Sequence, residues 1–150
     1  GVRADVIPDD QGQVTFGAIF ASQPFSNTII VKTLTGQQLR AVLEQQFSDP
    51  QWTRVLAPSA GFSYSYDQSR PAGQRILSMA LNGVPIADNG RYRIAMNSFI
   101  ASGGDKFTVF RDGTDAVVGP LDLEAMIGWL AGPQPRAVPS LDRITNLTPK

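Results

Sequence analysis

The organisation of the chain is decided by residues 92–107, which read YRIAMNSFIASGGDKF. The apolar beginning of this stretch, residues 92–96, predicts a strand that leads into a loop with an aromatic residue, two glycines and a carboxylate. Adjacent glycines allow left-handed backbone conformations and a close approach to a ligand. Successive backbone N–H groups in such a turn can form a concavity that binds an anion or a hydroxyl group. If residues 99–102 form one helical turn, the side chains of Phe99 and Asp105 lie at the opening of the same concavity.

This loop has two interpretations at the level of sequence. A flat apolar ring beside a carboxylate suits a nucleoside, because the ring can stack on the base and the carboxylate oxygens can accept hydrogen bonds from the ribose diol. The other interpretation is an ordinary Gly-Gly-Asp turn in which Phe99 and Phe107 belong to the core. Taken alone, the loop favours the ordinary turn, since turn sequences of this kind are common.

The composition predicts one folded domain over residues 1–150. Hydrophobic residues make up 42% and charged residues 17%, which is typical of a globular protein. Lys plus Arg and Asp plus Glu number 13 each, so the chain has no excess positive charge with which to bind nucleic acid. The apolar runs are much shorter than the roughly 20 residues of a membrane-spanning helix, so we expect no membrane insertion by this segment.

The sequence contains neither cysteine nor histidine. The missing cysteines exclude disulfides and thiolate metal sites, and the missing histidines exclude a Ser-His-Asp or Cys-His catalytic device. Dinuclear phosphoesterase centres use imidazole groups as well as carboxylates. We therefore expect no catalytic residue, no metal site and no cofactor within this chain.

The alternation of strand and helix patterns predicts an α+β domain with a mixed β-sheet, a hairpin and packed helices. Thr15 and Thr35 are suited to cap helices, and Thr35 with Gln38 matches a capping box. The dipeptide Asn82-Gly83 is typical of a two-residue hairpin turn. A last helix is expected between Pro120 and Gly132. Strands are expected at residues 28–34, 62–66, 75–81, 84–86 and 92–96, and the near-continuous apolar run of the first predicts burial on both of its faces. A turn is expected at residues 111–115.

Four short motifs occur in an order and at spacings that resemble a known family. The chain resembles the C-terminal domain of the 5'-nucleotidase family, which includes UDP-sugar hydrolases and related secreted nucleotide phosphatases. The likeness runs from residue 1 to Ile144 and so covers nearly the whole chain. The motifs are GVRA at residues 1–4, VTFG at 14–17, QPFSNT at 23–28 and the stretch 97–105.

The resemblance implies roles for particular residues. Phe25 and Phe99 match the two phenylalanines that sandwich the base. Asp105 matches the aspartate that binds the ribose hydroxyl groups, and Arg3 matches the arginine that contacts the phosphate side of the substrate. Further possible substrate contacts are Asn27, Asn97, Gly103, Gly104 and Lys106.

Two positions depart from the family pattern. Ser26 and Lys106 stand where glycine is usual, after Phe25 and after Asp105 respectively. If the position of Lys106 requires a positive φ, the lysine strains the loop or the loop has another shape. Alternatively, the lysine adds a cation near a substrate phosphate.

The aromatic pair carries a geometric prediction. Phe47 and Phe62 belong to periodic apolar faces that are typical of a core, whereas Phe25 and Phe99 lie in loops of small or polar residues. We therefore predict that the rings of Phe25 and Phe99 face each other across a slot wide enough for one base. At least one of the two rings should be partly exposed.

The resemblance also implies a longer parent protein with two domains. An N-terminal metallophosphatase domain would hold two divalent metal ions, of the Zn, Mn or Co type, while this chain binds a nucleotide or nucleoside and presents it to them. The parent is expected to be extracellular, periplasmic or in the cell wall. A 5'-nucleotidase or nucleotide-sugar hydrolase is the leading hypothesis. The alternatives are a 2',3'-cyclic-nucleotide phosphodiesterase with 3'-nucleotidase activity and a non-catalytic nucleoside-binding or interaction module.

Overall fold

A computed structural model describes residues 8–51, 53–133 and 140–149 of the chain. Its helices are α1 (Phe16–Ser22), α2 (Gly36–Gln45), α3 (Ser98–Ala101) and α4 (Asp122–Leu130), with 3-10 helices at Gly104–Lys106 and Thr108–Asp112. Its strands are β1 (Thr28–Thr35), β2 (Phe62–Tyr66), β3 (Ile76–Leu81), β4 (Val84–Pro85), β5 (Arg91–Asn97), β6 (Thr114–Leu121) and β7 (Ile144–Asn146). In the described ranges, no helix is long and apolar enough to span a membrane.

The strands form two sheets. The first has three antiparallel strands in the order β5-β1-β6, and the second has four strands in the order β4-β3-β2-β7. Within the second sheet, β7 runs parallel to β2 while β3 is antiparallel to both of its neighbours. The predicted α+β class is therefore confirmed. The strands divide between two sheets, and only the second sheet is mixed.

Helix α2 covers the core and begins as its sequence predicts. The Oγ1 atom of Thr35 accepts a hydrogen bond from the Gln38 N–H at 3.1 Å, and the Gln38 side chain accepts one from the Thr35 N–H at 2.8 Å. Phe47 is buried, and Phe62 packs against the core, as predicted. The buried cluster consists of Leu34, Leu39, Val42, Leu43, Phe47, Tyr64, Tyr66, Ile76, Met79, Phe107 and Phe110.

The predicted hairpin joins β3 to β4. Asn82 and Gly83 have φ angles of 50° and 78°, so both residues adopt the left-handed conformation that a tight hairpin turn of this type requires. Thr15 caps α1 by accepting a hydrogen bond from the Ala18 N–H at 3.2 Å, which confirms the predicted start of that helix.

Two strands were not predicted, and the burial of a third was overestimated. Residues 111–115 were expected to be a turn, but β6 begins at Thr114 and continues through Gly119 and Pro120. Proline and glycine are tolerated here because β6 is an edge strand whose register with β1 is interrupted. The short strand β7 also went unrecognised. We expected β1 to be buried on both faces, but only Thr33 and Leu34 are buried, since its neighbour β6 is itself exposed.

Candidate functional site

Phe99 is held at the surface by a single turn of helix. The turn that was expected at residues 99–102 forms at residues 98–101, where the Asn97 side chain accepts a hydrogen bond from the Ile100 N–H at 2.9 Å. The Phe99 side chain is 48% exposed. Its ring lies directly against Gly104, because a Cβ atom added to that glycine would be 2.6 Å from the ring. Gly104 therefore supplies the space that the aromatic ring occupies.

The backbone after Phe99 turns through left-handed conformations. Gly103, Asp105 and Lys106 have φ angles of 87°, 52° and 69°. A Cβ atom at Gly103 would overlap the guanidinium group of Arg111, which itself donates a hydrogen bond to the Ser102 carbonyl at 2.8 Å. Lys106 thus occupies a conformation that favours glycine, at a cost of about 1–2 kcal/mol for such a residue. Its position strains the loop, one of the two outcomes anticipated from the sequence.

A buried anchor lies under this loop. Phe107 is 2% exposed and Phe110 is 5% exposed, so the end of the loop is fixed in the core. Lys32 reaches out of β1, and its ammonium group donates hydrogen bonds to the carbonyl oxygens of Ala101 at 3.1 Å and Phe110 at 2.9 Å. One lysine therefore joins α3 to the 3-10 helix that follows. A charge inside an apolar strand was the sequence signal for this role, and it was overlooked.

Phe25 lies on a second loop that meets the first. Its side chain is 40% exposed. Asn27, two residues later, accepts a hydrogen bond from the Ser98 hydroxyl group at 3.3 Å, although the two residues are 71 positions apart. Ser98 also accepts a hydrogen bond from the Thr28 N–H at 3.3 Å. Because Ser98 directly precedes Phe99, these bonds bring the two aromatic loops to the same end of the first sheet.

The loop with Phe25 has its own anchor on α4. The Asn27 carbonyl accepts a hydrogen bond from the Asp122 N–H at 2.8 Å. The buried Asp122 carboxylate accepts another from the Gln23 side chain at 2.9 Å. Ser26 has a φ angle of 53°, so the second position that departs from the family pattern also adopts a left-handed conformation. The loop is therefore held on both sides of Phe25.

Two ion pairs join residues 97–107, called the ligand loop below after its predicted role, to the segment that follows α2. The Asp105 carboxylate lies 3.6 Å from the Arg54 guanidinium, and the Lys106 ammonium lies 2.8 Å from the Asp49 carboxylate. The hydrogen bond from Lys106, with a second one from the Gln51 N–H, lowers the pKa of Asp49 below its ordinary value. The Asp105 side chain remains 22% exposed, so its carboxylate can accept hydrogen bonds from a ligand.

A cleft of about 1330 Å³ borders the same carboxylate. Its walls include Arg54, Asn97 and Asp105, and most of its remaining wall is formed by apolar side chains of β5 and of the core. Neither Phe25 nor Phe99 is part of this wall. Asp105 therefore joins the loop that carries Phe99 to the wall of this cleft.

The predicted site residues fall into three groups. Phe25, Phe99 and Asp105 are accessible and come from two loops that contact each other. The possible contacts have structural roles here: the Asn27 and Asn97 side chains hold the loops, the two glycines accommodate neighbouring side chains, and Lys106 binds Asp49. Arg3 lies outside the described residues. Substrate contact by any of these residues, and a slot one base wide between the rings, stay predictions.

The accessible side chains at this end of the first sheet are two aromatic rings and a carboxylate. Across residues 8–51, 53–133 and 140–149, no group of three His, Cys, Asp or Glu side chains is placed to hold a metal ion. The exposed rings can stack on a planar ligand, and the Asp105 carboxylate can accept hydroxyl hydrogens. Sequence reasoning missed Lys32, Arg54, Ser98 and Arg111 as supports of this arrangement.

Comparisons with known proteins agree with the resemblance inferred from the motifs. Residues 1–112 match the family model of the 5'-nucleotidase C-terminal domain. A trifunctional nucleotide phosphoesterase of Bacillus subtilis is 34% identical over 131 residues, which are 83% of this chain and 9% of that protein.

Two solved structures are also similar. A 5'-nucleotidase precursor from Thermus thermophilus is 34% identical with a TM-score of 0.81, covering 91% of this chain and 28% of that one. The NAD nucleotidase of Haemophilus influenzae is 27% identical with a TM-score of 0.82, covering 100% of this chain and 29% of that one. The chain thus spans less than a third of the length of each of these relatives.

Proposed function

Because this chain belongs to the family of 5'-nucleotidase C-terminal domains, we propose that it binds the nucleotide substrate of a secreted, metal-dependent 5'-nucleotidase or nucleotide-sugar hydrolase. In this role the chain holds the base and the ribose while an N-terminal metallophosphatase domain hydrolyses the phosphoester. The observation that carries the proposal is the exposure of Phe25 and Phe99 on two loops joined through Asn27 and Ser98.

The physical support comes from what these side chains offer a nucleoside. An exposed phenylalanine held by its own loop provides a flat surface for stacking, which is worth about 1–3 kcal/mol per base and tolerates any base. Asp105, on the loop that follows Phe99, offers carboxylate oxygens to the ribose hydroxyl groups. A hydrogen bond to a charged acceptor contributes about 1.5–3 kcal/mol. The two contacts together recognise the nucleoside half of a nucleotide and leave its phosphate for the partner domain.

The hydrolytic chemistry is assigned to the partner domain. The chain has no histidine and no cysteine, so its side chains do not fit the imidazole and carboxylate ligand set of a dinuclear phosphoesterase centre. The two divalent metal ions are therefore proposed to lie in the N-terminal domain. The family resemblance inferred from the motifs implies a secreted parent protein. A location outside the cytoplasm is accordingly part of the proposal.

A second candidate is a cyclic-nucleotide phosphodiesterase with 3'-nucleotidase activity. The name of the Bacillus subtilis relative, trifunctional nucleotide phosphoesterase, favours it because that name covers more than one reaction on nucleotides. Both candidates use the same base and ribose contacts and differ in the position of the phosphate that reaches the metals.

Calorimetric titration of the purified chain with AMP, adenosine and ribose 5-phosphate tests the binding function. We expect AMP and adenosine to bind, and ribose 5-phosphate to bind much more weakly because it lacks a base to stack. Equal binding of ribose 5-phosphate and AMP, or no binding of adenosine, would contradict the proposal. In parallel, the chain should release no phosphate from AMP or UDP-glucose with manganese or cobalt. Metal-dependent turnover that persists through repurification would place the chemistry in this chain instead.

A further inference from the structure

Two adjacent residues of the ligand loop form ion pairs of opposite polarity. Asp105 and Lys106 are adjacent, and both have a left-handed backbone, with φ angles of 52° and 69°. The acidic residue pairs with Arg54, and the basic residue pairs with Asp49, so both partners come from the segment between α2 and β2. Each of the two residues therefore faces a partner of opposite charge, and shifting the loop by one residue would bring like charges together. The arrangement sets one particular register between the segment and the loop.

The fold positions Arg54 through buried polar contacts. The Arg54 N–H donates a hydrogen bond to the Gln46 carbonyl at 3.4 Å. The Gln46 side chain, in a residue that is only 1% exposed, accepts hydrogen bonds from the Leu56 N–H at 2.6 Å and from the Tyr64 hydroxyl group at 3.0 Å. Buried polar groups with satisfied hydrogen bonds specify local geometry. The backbone at Arg54 and at Leu56 is thus anchored to Gln46 at the end of α2, which in turn is bonded to Tyr64 on β2.

We propose that Arg54 is a positioning residue that orients the Asp105 carboxylate for the ribose diol. The guanidinium lies 3.6 Å from Oδ2 of Asp105, so in this proposal the carboxylate is held through Oδ2 and accepts the hydroxyl groups at Oδ1. One carboxylate oxygen has two lone pairs and can accept both vicinal hydroxyl groups. This inference rests on the proposed function and adds to it the residue that determines specificity for the sugar.

The ion pair between Arg54 and Asp105 should contribute little to the stability of the fold. The two charged groups lie 3.6 Å apart, and 44% of the Arg54 side chain is exposed. Ion pairs of this kind contribute little to folding, because solvent screens them and the arginine loses side-chain entropy. Removing Arg54 should therefore change recognition of the sugar while leaving the folded state intact.

The test compares adenosine with 2',3'-dideoxyadenosine, which keeps the base and lacks both hydroxyl groups. Calorimetric dissociation constants are measured for the wild-type chain and for Arg54→Gln, Arg54→Lys, Asp49→Asn and Asp105→Asn. We expect Arg54→Gln to weaken adenosine about fivefold, the range of an exposed ion pair, and to leave dideoxyadenosine unchanged. Arg54→Lys should recover part of the loss. Asp49→Asn is the matched control, because it breaks the neighbouring ion pair without touching the carboxylate of Asp105, and it should bind both nucleosides as the wild type does.

The outcomes separate this inference from the proposed function. If Asp105→Asn abolishes the preference for adenosine while Arg54→Gln keeps it, Arg54 has no positioning role and the nucleoside site stands. Equal losses for both nucleosides in Arg54→Gln would also overturn the role, because they would indicate a general disturbance of the loop. A wild-type chain that binds neither nucleoside, or does not distinguish them, would overturn the Asp105 role in the proposed function itself.

Discussion

The two halves of the ligand loop place a phenylalanine ring in opposite environments. Phe107, in the second half, is 2% exposed and belongs to the core with Phe110. Phe99, in the first half, is 48% exposed and rests on Gly104. For an exposed ring to offer a pre-formed stacking surface, the loop beneath it must be held in place. The core half provides that support, and the surface half is left available for a ligand.

The largest expected effect concerns the core half. Phe107→Ala removes a ring from a closely packed cluster and leaves a cavity, so the free energy of unfolding should fall by about 3–5 kcal/mol. Urea unfolding followed by circular dichroism measures this change. A loss below about 1 kcal/mol would show that the loop is not anchored in the core, and the contrast between its two halves would disappear.

Substitutions in the surface half should weaken AMP binding and leave the free energy of unfolding almost unchanged. Phe99→Leu should weaken AMP binding by about 1–3 kcal/mol because a leucine cannot stack on a base. Its free energy of unfolding should change by less than about 0.5 kcal/mol, since the ring contributes little to the core. Phe25→Leu should behave in the same way.

Phe20→Leu is the matched control for both variants, because Phe20 on α1 is also 48% exposed. It should leave the dissociation constant of AMP unchanged. A Phe99→Leu protein that unfolds readily but binds AMP normally while folded would return this ring to a structural role.

A smaller effect is expected when the support under the ring is changed and the ring is kept. Gly104→Ala places a methyl group where the Phe99 ring lies, so the ring must rotate away from its present position. A displaced rotamer costs about 0.5–1.5 kcal/mol, and AMP binding should weaken by a similar amount. Gly128→Ala is a suitable control, because a Cβ atom there meets nothing within 4 Å. Identical AMP affinity in Gly104→Ala and the wild type would mean that the present ring position is irrelevant to binding.

The smallest effect concerns the ion pair between Asp49 and Lys106. The pKa of Asp49 is lowered from its ordinary value of 3.8, chiefly by the hydrogen bond from Lys106. The pair therefore stabilises the folded state above pH 3.8, and this contribution is lost as the pH falls through the lower pKa of the folded protein. Asp49→Asn should be slightly less stable than the wild type at neutral pH and should approach it in acid. Thermal unfolding of both proteins at several pH values measures this. A difference in melting temperature that does not change with pH would show that the ion pair does not contribute to stability.

Local features of this fold were predictable because their partners lie a few residues apart. Thr35 and Gln38 form the capping box that their spacing indicates, and Asn82-Gly83 forms the expected hairpin turn. Features that depend on distant partners were not predictable. Pro120 was expected to mark the start of the last helix, and only the pairing with β1 shows that it lies in β6, an edge strand where a proline is tolerated.

The candidate site shows the same division. Motif resemblance selected Phe25, Phe99 and Asp105, which the structure leaves accessible. The ion pairs that hold this loop carry no local signal: Lys106 and Asp49, for example, are 57 positions apart. The two glycines were expected to allow a ligand to approach. Their observed neighbours are the Arg111 side chain at Gly103 and the Phe99 ring at Gly104, and the approach of a ligand stays a prediction.

The parallel pairing of β7 with β2 sets the order in which the protein can be completed. Parallel strands cannot be joined by a tight turn, and here the Gln68 N–H donates a hydrogen bond to Thr148, which lies 80 residues further along the chain. A ribosome adds about 5–20 residues per second, so β7, which pairs with the edge of β2, is synthesised several seconds after β2. During that interval the edge of β2 can pair with the wrong strand. The second sheet is therefore completed last during synthesis, and its open edge is where a nascent chain most needs protection.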